Sequence, residues 1–144
     1  MTDALYLIAR IGTSWVALPT DHVEAVVRMP TVVPIPTAPT ALSGIVAIRS
    51  RLLTLISPAA IVGEAVQAAS LAVILSSDGH SYAVAVDAVD DVTTLSEAAA
   101  YPGDLSAGWA VLNPTMARHG DRIILIIDPD TLVSAVTRTC RRAA

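Results

Sequence analysis

The sequence predicts a mostly β protein made of two small β-barrels that derive from an internal duplication, plus one C-terminal helix. The first observation is a repeat: residues 5–29 align without a gap on residues 71–95, and residues 51–62 align on residues 122–133. Two matching blocks in the same order indicate one supersecondary unit used twice. The second observation is a series of short aliphatic and β-branched runs separated by Gly and Pro turns, which is typical of small barrels.

The repeat also matches acidic and proline positions, which two segments that are merely both apolar would not share. Asp21 aligns with Asp87 and Pro58 with Pro129, among many pairs of aliphatic residues. Chance similarity is the competing interpretation, because the chain contains 25 Ala residues. The conserved acid and proline positions favour duplication.

The first half is predicted to contain two hairpins joined by an edge strand. Residues 5–11 and 15–18 form the first hairpin around a Gly-Thr-Ser turn. A brief helical turn then precedes an extended segment over residues 25–36, whose three prolines cannot donate ladder hydrogen bonds and so place it at a sheet edge. Residues 44–56 form the second hairpin, which turns at residues 49–51.

The second half is predicted to repeat this order. Residues 71–75 and 82–86 form a hairpin around an Asp-Gly turn, a strong hairpin signal. The counterpart of the next hairpin is predicted from residues 108–112 and 122–127, with a long link over residues 113–121 that ends in a Gly-Asp turn.

The last segment is predicted to be a helix over about residues 129–142. Asp128 occupies the N-cap position and Pro129 the first helical position, and arginines occupy the last turn. Leu132 and Val136 recur at helical spacing, which gives this helix one apolar face.

Length and composition indicate one domain with a charge-poor surface. The 144 residues can bury a core, and the repeat divides them into subdomains at about residues 5–66 and 67–133. Charged residues make up 15% of the chain, against roughly 25% in typical soluble domains. Such a surface either carries apolar patches that partners cover or is simply rich in exposed Ala, and composition leaves both interpretations open.

Composition also excludes several classes of function. A net charge of −4, with neither Lys nor Phe in the chain, disfavours nucleic-acid binding. The longest aliphatic run, residues 123–127, is too short to span a bilayer, and the N-terminus lacks the features of a signal peptide. A lone Cys140 cannot form an intrachain disulfide. We therefore expect a cytoplasmic protein without direct membrane insertion.

No catalytic, cofactor-binding or metal-binding constellation is evident. The three histidines lack the spacing of metal ligands. Two acidic pairs, Asp90-Asp91 and Asp128-Pro129-Asp130, have the composition for cation binding or acid–base chemistry. Asp128 is better explained as a helix cap, and Asp90 by its alignment with Glu24. We expect no enzymatic activity, no cofactor and no metal.

Four segments of the chain together resemble one known family. They are the opening hairpin, residues 44–49, the second-half hairpin leading into residues 86–92, and Gly120-Asp121-Arg122 before a β run. From about Leu5 to Val136 the chain resembles the CheW family of bacterial chemotaxis coupling proteins. The resemblance implies two SH3-like five-stranded β-barrels with a C-terminal helix, acting as a cytoplasmic scaffold without catalytic activity. It implies two partners: a chemoreceptor cytoplasmic domain and the regulatory domain of a CheA-type histidine kinase.

The same resemblance implies a receptor-binding groove at the junction of the two halves. The positions that match the family motifs there are Val23, Gly44, Arg49 and Leu71. Aliphatic contacts would supply most of the binding energy, with Arg49 fixing the register. The alternative is that Val23 and Leu71 are ordinary core residues.

Three departures from the family pattern affect this groove and its surroundings. Ser50 replaces a Gly in the turn, where Gly tolerates positive φ and Ser seldom does. Ala25 replaces a Glu that pairs with the motif arginine, so that Arg49 is expected to be exposed and to pair with Glu24 or with an acid on a partner. Residues 114–119 also look longer than the compact hairpin of the family.

A second function remains open at this stage. An apolar cleft between the two barrels could make the chain a small-molecule-binding sensor domain, since clefts between subdomains often hold ligands. Such a pocket needs convergent polar groups, and few are evident in the sequence.

Overall fold

Short two-residue turns connect most of the strands, so that the chain folds back on itself as a series of antiparallel hairpins. The computed structural model describes residues 5–34, 42–62, 69–95, 99–100, 107–112 and 114–143. The first-half elements are β1 (Leu5–Ile11), β2 (Ser14–Pro19), a 3₁₀ turn (Thr20–His22), β3 (Val23–Arg28), β4 (Val32–Val33), β5 (Leu42–Ile48), β6 (Arg51–Ile56) and α1 (Pro58–Val62). The second-half elements are β7 (Leu71–Ser77), β8 (His80–Val86), β9 (Ala88–Thr94), β10 (Ala99–Ala100), α2 (Ala107–Leu112), β11 (Thr115–His119), β12 (Arg122–Ile126) and α3 (Pro129–Ala143).

The strands form two six-stranded sheets that exchange hairpins between the halves. The first sheet has the order β10-β11-β12-β2-β1-β9, and the second has the order β3-β7-β8-β6-β5-β4. Each sheet therefore contains five strands of five residues or more and one of two residues. The hairpin that opens each half lies in the sheet of the other half. The ranges 5–66 and 67–133 thus describe the sequence repeat, whereas each sheet takes strands from both ranges.

The two sheets have the same topology and the same register, which confirms the duplication. The parallel pair β12–β2 places Leu125 opposite Val16, and the parallel pair β6–β8 places Thr54 opposite Tyr82. These residues occupy equivalent positions in the two halves. The antiparallel pairs β1–β9 and β3–β7 also carry a register shift at equivalent positions. Two unrelated segments would not reproduce the register residue by residue.

The second sheet is strongly curled. Its two edge strands, β3 and β4, are separated by residues 29–31 alone. Consecutive Cα atoms are about 3.8 Å apart, so the facing ends of these edge strands lie within about 15 Å of each other. The sheet therefore curves until its two edge strands come near each other, as a barrel-like subdomain requires. The expected continuous strand over residues 25–36 is wrong, because it breaks at this link, which contains Pro30; residues 35 and 36 lie outside the described residues.

A second correction concerns the hairpin of the second half. Residues 108–112, predicted as a strand, lie in helix α2, and β12 pairs instead with β11. Trp109 and Leu112 are both buried, and their spacing places them on one face of the helix. Residues 114–119 are accordingly no long link, since β11 and β12 turn tightly at Gly120-Asp121.

Helix α3 begins as predicted and closes the core that the two halves share. The Asp128 carboxylate accepts hydrogen bonds from the Asp130 N–H (3.2 Å) and the Thr131 hydroxyl (3.3 Å), which makes it an N-cap. The Ser77 hydroxyl donates to Asp130 (2.6 Å) and ties the helix to β7. The buried cluster beneath joins strands of both sheets to this helix; it includes Leu7, Leu18, Ile56, Val73, Val84, Leu132 and Val136.

The β5–β6 turn keeps a tight conformation without glycine. Arg49 and Ser50 have φ values of 50° and 65°. Positive φ at both central positions is the pattern of a type I′ hairpin turn, which normally selects Asn-Gly or Gly-Gly. Ser50 therefore holds a positive φ that serine seldom adopts, and the turn is strained.

We expect Ser50→Gly to stabilise the protein by about 1 kcal/mol, because glycine adopts positive φ without a Cβ clash. This corresponds to a rise in Tm of about 2–6 °C, measurable by calorimetry. The matched control is Asp121→Gly, since Asp121 aligns with Ser50 but does not have positive φ. An equal gain in both variants would contradict the assignment of strain to Ser50.

Candidate functional site

The four residues predicted to bind a receptor lie in different environments. Val23 and Leu71 are half-buried and pack against the shared core. Gly44 is buried in β5, and a Cβ there would lie 2.7 Å from Val32 Cγ1 and closer still to the carbonyl oxygen of Val33. Arg49 alone is exposed, at the tip of the β5–β6 hairpin. Three of the four positions are thus buried or half-buried, and one presents its side chain to solvent.

Arg49 lines a cavity at one end of the second sheet. The cavity has a volume of about 90 Å³. Its lining residues are mostly apolar and include two arginines and one glutamate, whose formal charges sum to +1. The lining residues are Glu24, Ala25, Val27, Ile48, Arg49, Arg51, Leu53 and Ile74.

The carboxylate of this cavity is already engaged by the other arginine. The Ser81 hydroxyl donates to Glu24 Oε1 (2.9 Å) and accepts from Arg51 Nη2 (2.7 Å), while Arg51 Nη1 lies 3.7 Å from Glu24 Oε2. The expected pairing of Glu24 with Arg49 is therefore wrong. Among the described residues Arg49 has no ion-pair partner, and Arg51 has one.

A β-bulge lies at this acid. The β3–β7 register shifts between Val23 and Ala25, so Glu24 is the extra residue of the bulge. Both Glu24 and Ala25 line the same cavity.

The other barrel carries an equivalent ion pair. Arg122 Nη1 lies 2.7 Å from Asp90 Oδ2, and its guanidinium carbon lies 4.0 Å from the centroid of the Trp15 ring. These residues align with Arg51, Glu24 and Ser81 in the repeat. The two acids and two arginines were visible in the sequence alignment, but their pairing was not, because each pair joins β-strands from different parts of the chain.

Exposed aliphatic residues also recur at equivalent positions. Val26 and Val92 are 39% and 48% exposed, on the edge strands β3 and β9. Leu52 and Ile123 are 76% and 56% exposed, on β6 and β12. Single exposed aliphatic residues are ordinary, but here the duplication keeps the same two in both barrels. Each barrel therefore exposes the same pair of aliphatic side chains.

Asp87, which aligns with Asp21 in the repeat, has a structural role. Its carboxylate accepts a hydrogen bond from the Gly12 N–H (2.6 Å), and its own N–H donates to the carbonyl of Arg10 (2.9 Å). Asp87 thus fixes the β1–β2 turn of one half against the other half.

The described residues contain neither a group of three or more His, Cys, Asp and Glu side chains arranged to hold a metal nor a helix with the length and hydropathy of a membrane span. His22 Nδ1 lies 2.9 Å from the carbonyl oxygen of Ser76, so this ring serves to connect the 3₁₀ turn to β7.

Two comparisons with known proteins found similarities to this chain. Residues 5–137 match the family described as the CheW-like domain. The fold is similar to the crystal structure of the scaffolding protein TtCheW from Thermoanaerobacter tengcongensis, with a TM-score of 0.79 and 21% sequence identity, over 91% of this chain and 92% of that chain. No curated protein matches the chain.

We expect Gly44→Ala to destabilise the protein by about 3 kcal/mol, because the new Cβ meets backbone and side-chain atoms of β4 at a φ of 152°. Urea unfolding measures the difference. Gly79→Ala is the matched control: its φ is also positive, at 78°, but the space around it is open, so it should cost only about 1–2 kcal/mol. Equal losses would show that the close approach of β4 to Gly44 is not limiting.

Proposed function

The chain belongs to the CheW-like domain family, and on that premise we propose that it is a non-enzymatic adaptor that couples the cytoplasmic tips of chemoreceptors to a CheA-type histidine kinase. A scaffold in chemotaxis is the role that membership of the family supports. The proposal adds the two specific partners and a cytoplasmic location.

The observation that carries the proposal is the duplication of surface as well as core. A coupling protein needs at least two docking surfaces, and each barrel here has an edge strand with an exposed valine and a second exposed aliphatic residue on another strand, β6 or β12. Exposed strand edges and apolar patches are common elements of protein recognition. The chain thus has one such surface for each of two partners.

For the receptor side, we propose the surface around Arg49, with the other predicted residues acting through the backbone. Gly44 lets β4 approach β5 closely, and Val23 and Leu71 anchor the β3–β7 ladder to the core. These three residues therefore hold the cavity in shape, while Arg49 contacts the partner.

The alternative function, a small-molecule sensor, receives less support. Ligand pockets of about 300–1,000 Å³ are usual for metabolite-sized molecules. The cavity beside Arg49 measures about 90 Å³ and lies at the end of one sheet. A side chain of a partner fits this space better than a metabolite does.

A reconstitution experiment tests the adaptor function. We expect receptor-containing membranes to change the autophosphorylation rate of the kinase only when this chain is added, because the chain supplies the contact between them. The measurement is phosphate incorporation with and without the chain. Receptor control of the kinase that is independent of the chain would contradict the proposal.

We also expect the purified chain to contain no stoichiometric metal and to turn over no nucleotide, ester or peptide substrate. Elemental analysis and standard hydrolase assays measure this. One metal atom per chain, or a turnover abolished by a point substitution in the chain, would contradict a purely adaptor role.

A further inference from the structure

We propose that one end of the first sheet binds an acidic side chain of the kinase regulatory domain through Arg10 and Trp15. The inference rests on the proposed adaptor function. It names a surface for the partner that the Arg49 side of the molecule does not serve, and the chemistry that recognises this partner.

A row of cationic and aromatic side chains crosses four neighbouring strands at this end. Arg10 of β1 lies directly opposite Trp15 of β2, and His119 of β11 lies directly opposite Arg122 of β12. The Arg122 guanidinium carbon joins the two pairs, since it lies 4.0 Å from the centroid of the Trp15 ring. Directly opposite residues of antiparallel strands point to the same face of a sheet. The four side chains therefore share one face.

Strand alternation places this row on the inner face of the sheet, where the buried cluster ends. Ile8 and Ile124 belong to that cluster, and Trp15 packs against it. Arg10 follows Ile8 by two residues, so it lies on the same face. Arg122 precedes Ile124 by two residues and lies on this face as well. Both arginines are exposed and the tryptophan is half-buried, so the apolar interior ends in a row that solvent reaches.

One arginine of the row carries an unbalanced charge. Arg122 forms an ion pair with Asp90 at 2.7 Å, whereas Arg10 has no ion-pair partner among the described residues. Two arginines and one acid leave a formal charge of +1. A carboxylate is the complementary ligand, because a guanidinium can donate two parallel hydrogen bonds to it. The Trp15 ring beside Arg10 offers an apolar surface on which the methylene groups of an Asp or Glu side chain can pack.

The equivalent end of the other barrel lacks this combination. Arg10 aligns with Ser76 and Trp15 with Ser81, and these two serines are likewise opposite each other, in β7 and β8. Both serine hydroxyls donate hydrogen bonds within the chain, to the carbonyl of His22 and to the carboxylate of Glu24. The unbalanced cation beside an aromatic ring is therefore a property of the first sheet, and the two barrel ends differ in chemistry.

We assign the kinase regulatory domain to this end because the receptor is proposed to contact Arg49, on the other sheet. An adaptor must hold both partners at once, so the second partner needs a separate surface. Four strands spaced about 4.8 Å apart span about 14 Å, a width that suits a folded domain. Trp and Arg are also the residues that most often dominate the binding energy of protein interfaces.

Binding measurements on Arg10 variants test the site. We expect Arg10→Ser, which introduces the residue of the other barrel, to weaken binding of the purified kinase regulatory domain about tenfold. Arg10→Glu should weaken it about a hundredfold, because two acids then face each other. Arg10→Lys keeps the charge without the planar fork and should cost about threefold. Affinity for a soluble receptor cytoplasmic fragment should not change in any of them.

Arg118→Ser is the matched control. Arg118 is an exposed arginine of β11 in the same sheet, and it precedes His119, so it points to the opposite face. Its loss changes the net charge as Arg10→Ser does, but it should leave the affinity for the kinase domain unchanged. Thermal unfolding should give a Tm within about 2 °C of the parent for each variant, because exposed charges contribute little to stability. An equal loss of affinity in Arg10→Ser and Arg118→Ser would show a general charge effect and overturn the site.

A charge-reversal scan of the kinase domain identifies the acid. Each exposed Asp and Glu of that domain is changed to Arg and tested against the Arg10→Glu variant. We expect one position to restore binding, since the ion pair then forms with its signs exchanged. The absence of rescue at every position would contradict a direct contact with Arg10.

The outcomes separate this inference from the adaptor function. If the parent binds the kinase domain and the folded Arg10→Ser and Arg10→Glu variants bind it equally well, the carboxylate site is overturned and the adaptor function stands. If these variants lose the receptor fragment instead, the assignment of the kinase domain is overturned. If the parent binds neither partner, the adaptor function fails, and this site fails with it.

Discussion

The parallel pairing between strands of opposite halves is the constraint on which the rest of the structure depends. β2 pairs with β12 and β8 pairs with β6, so neither sheet exists without strands from both repeats. The shared core follows from this exchange, because side chains of β1, β2, β7 and β8 meet beneath α3. Unfolding one half would remove strands from both sheets. We infer that the two barrels unfold together as one cooperative unit.

Because the two halves interlock, only some positions could diverge after the duplication without loss of the fold. The ladders, the Arg–acid pairs and the exposed aliphatic positions are equivalent in both barrels. The hairpin tips are not, because tips contribute little to the core and tolerate change. Arg49 and Ser50 in one tip correspond to Gly120 and Asp121 in the other. The two repeats therefore share one scaffold and differ at these hairpin tips.

The shared core and the exposed ion pairs contribute different amounts to the stability of the protein. The burial of large aliphatic side chains in the shared core supplies most of the stability, at roughly 1.5–3 kcal/mol for each fully buried one. The exposed Glu24–Arg51 pair contributes at most about 1 kcal/mol, since both partners remain solvated. The polar residues of the candidate site therefore contribute little to folding and can serve recognition. A partner that covers them would remove water and strengthen the interactions of the same charges.

Local spacing and turn chemistry were enough to predict the repeat, three of the hairpins, the capped C-terminal helix and the position of Arg49 at a hairpin tip. The pairing of strands between the halves was visible only in the folded chain, since strand exchange conserves every local pattern. The tertiary structure also decided that residues 108–112 form a helix, by burying Trp109 and Leu112 on one face. Which arginine pairs with Glu24 depended on contacts between strands that are distant in sequence: Arg51 forms the ion pair, and Arg49 has none among the described residues.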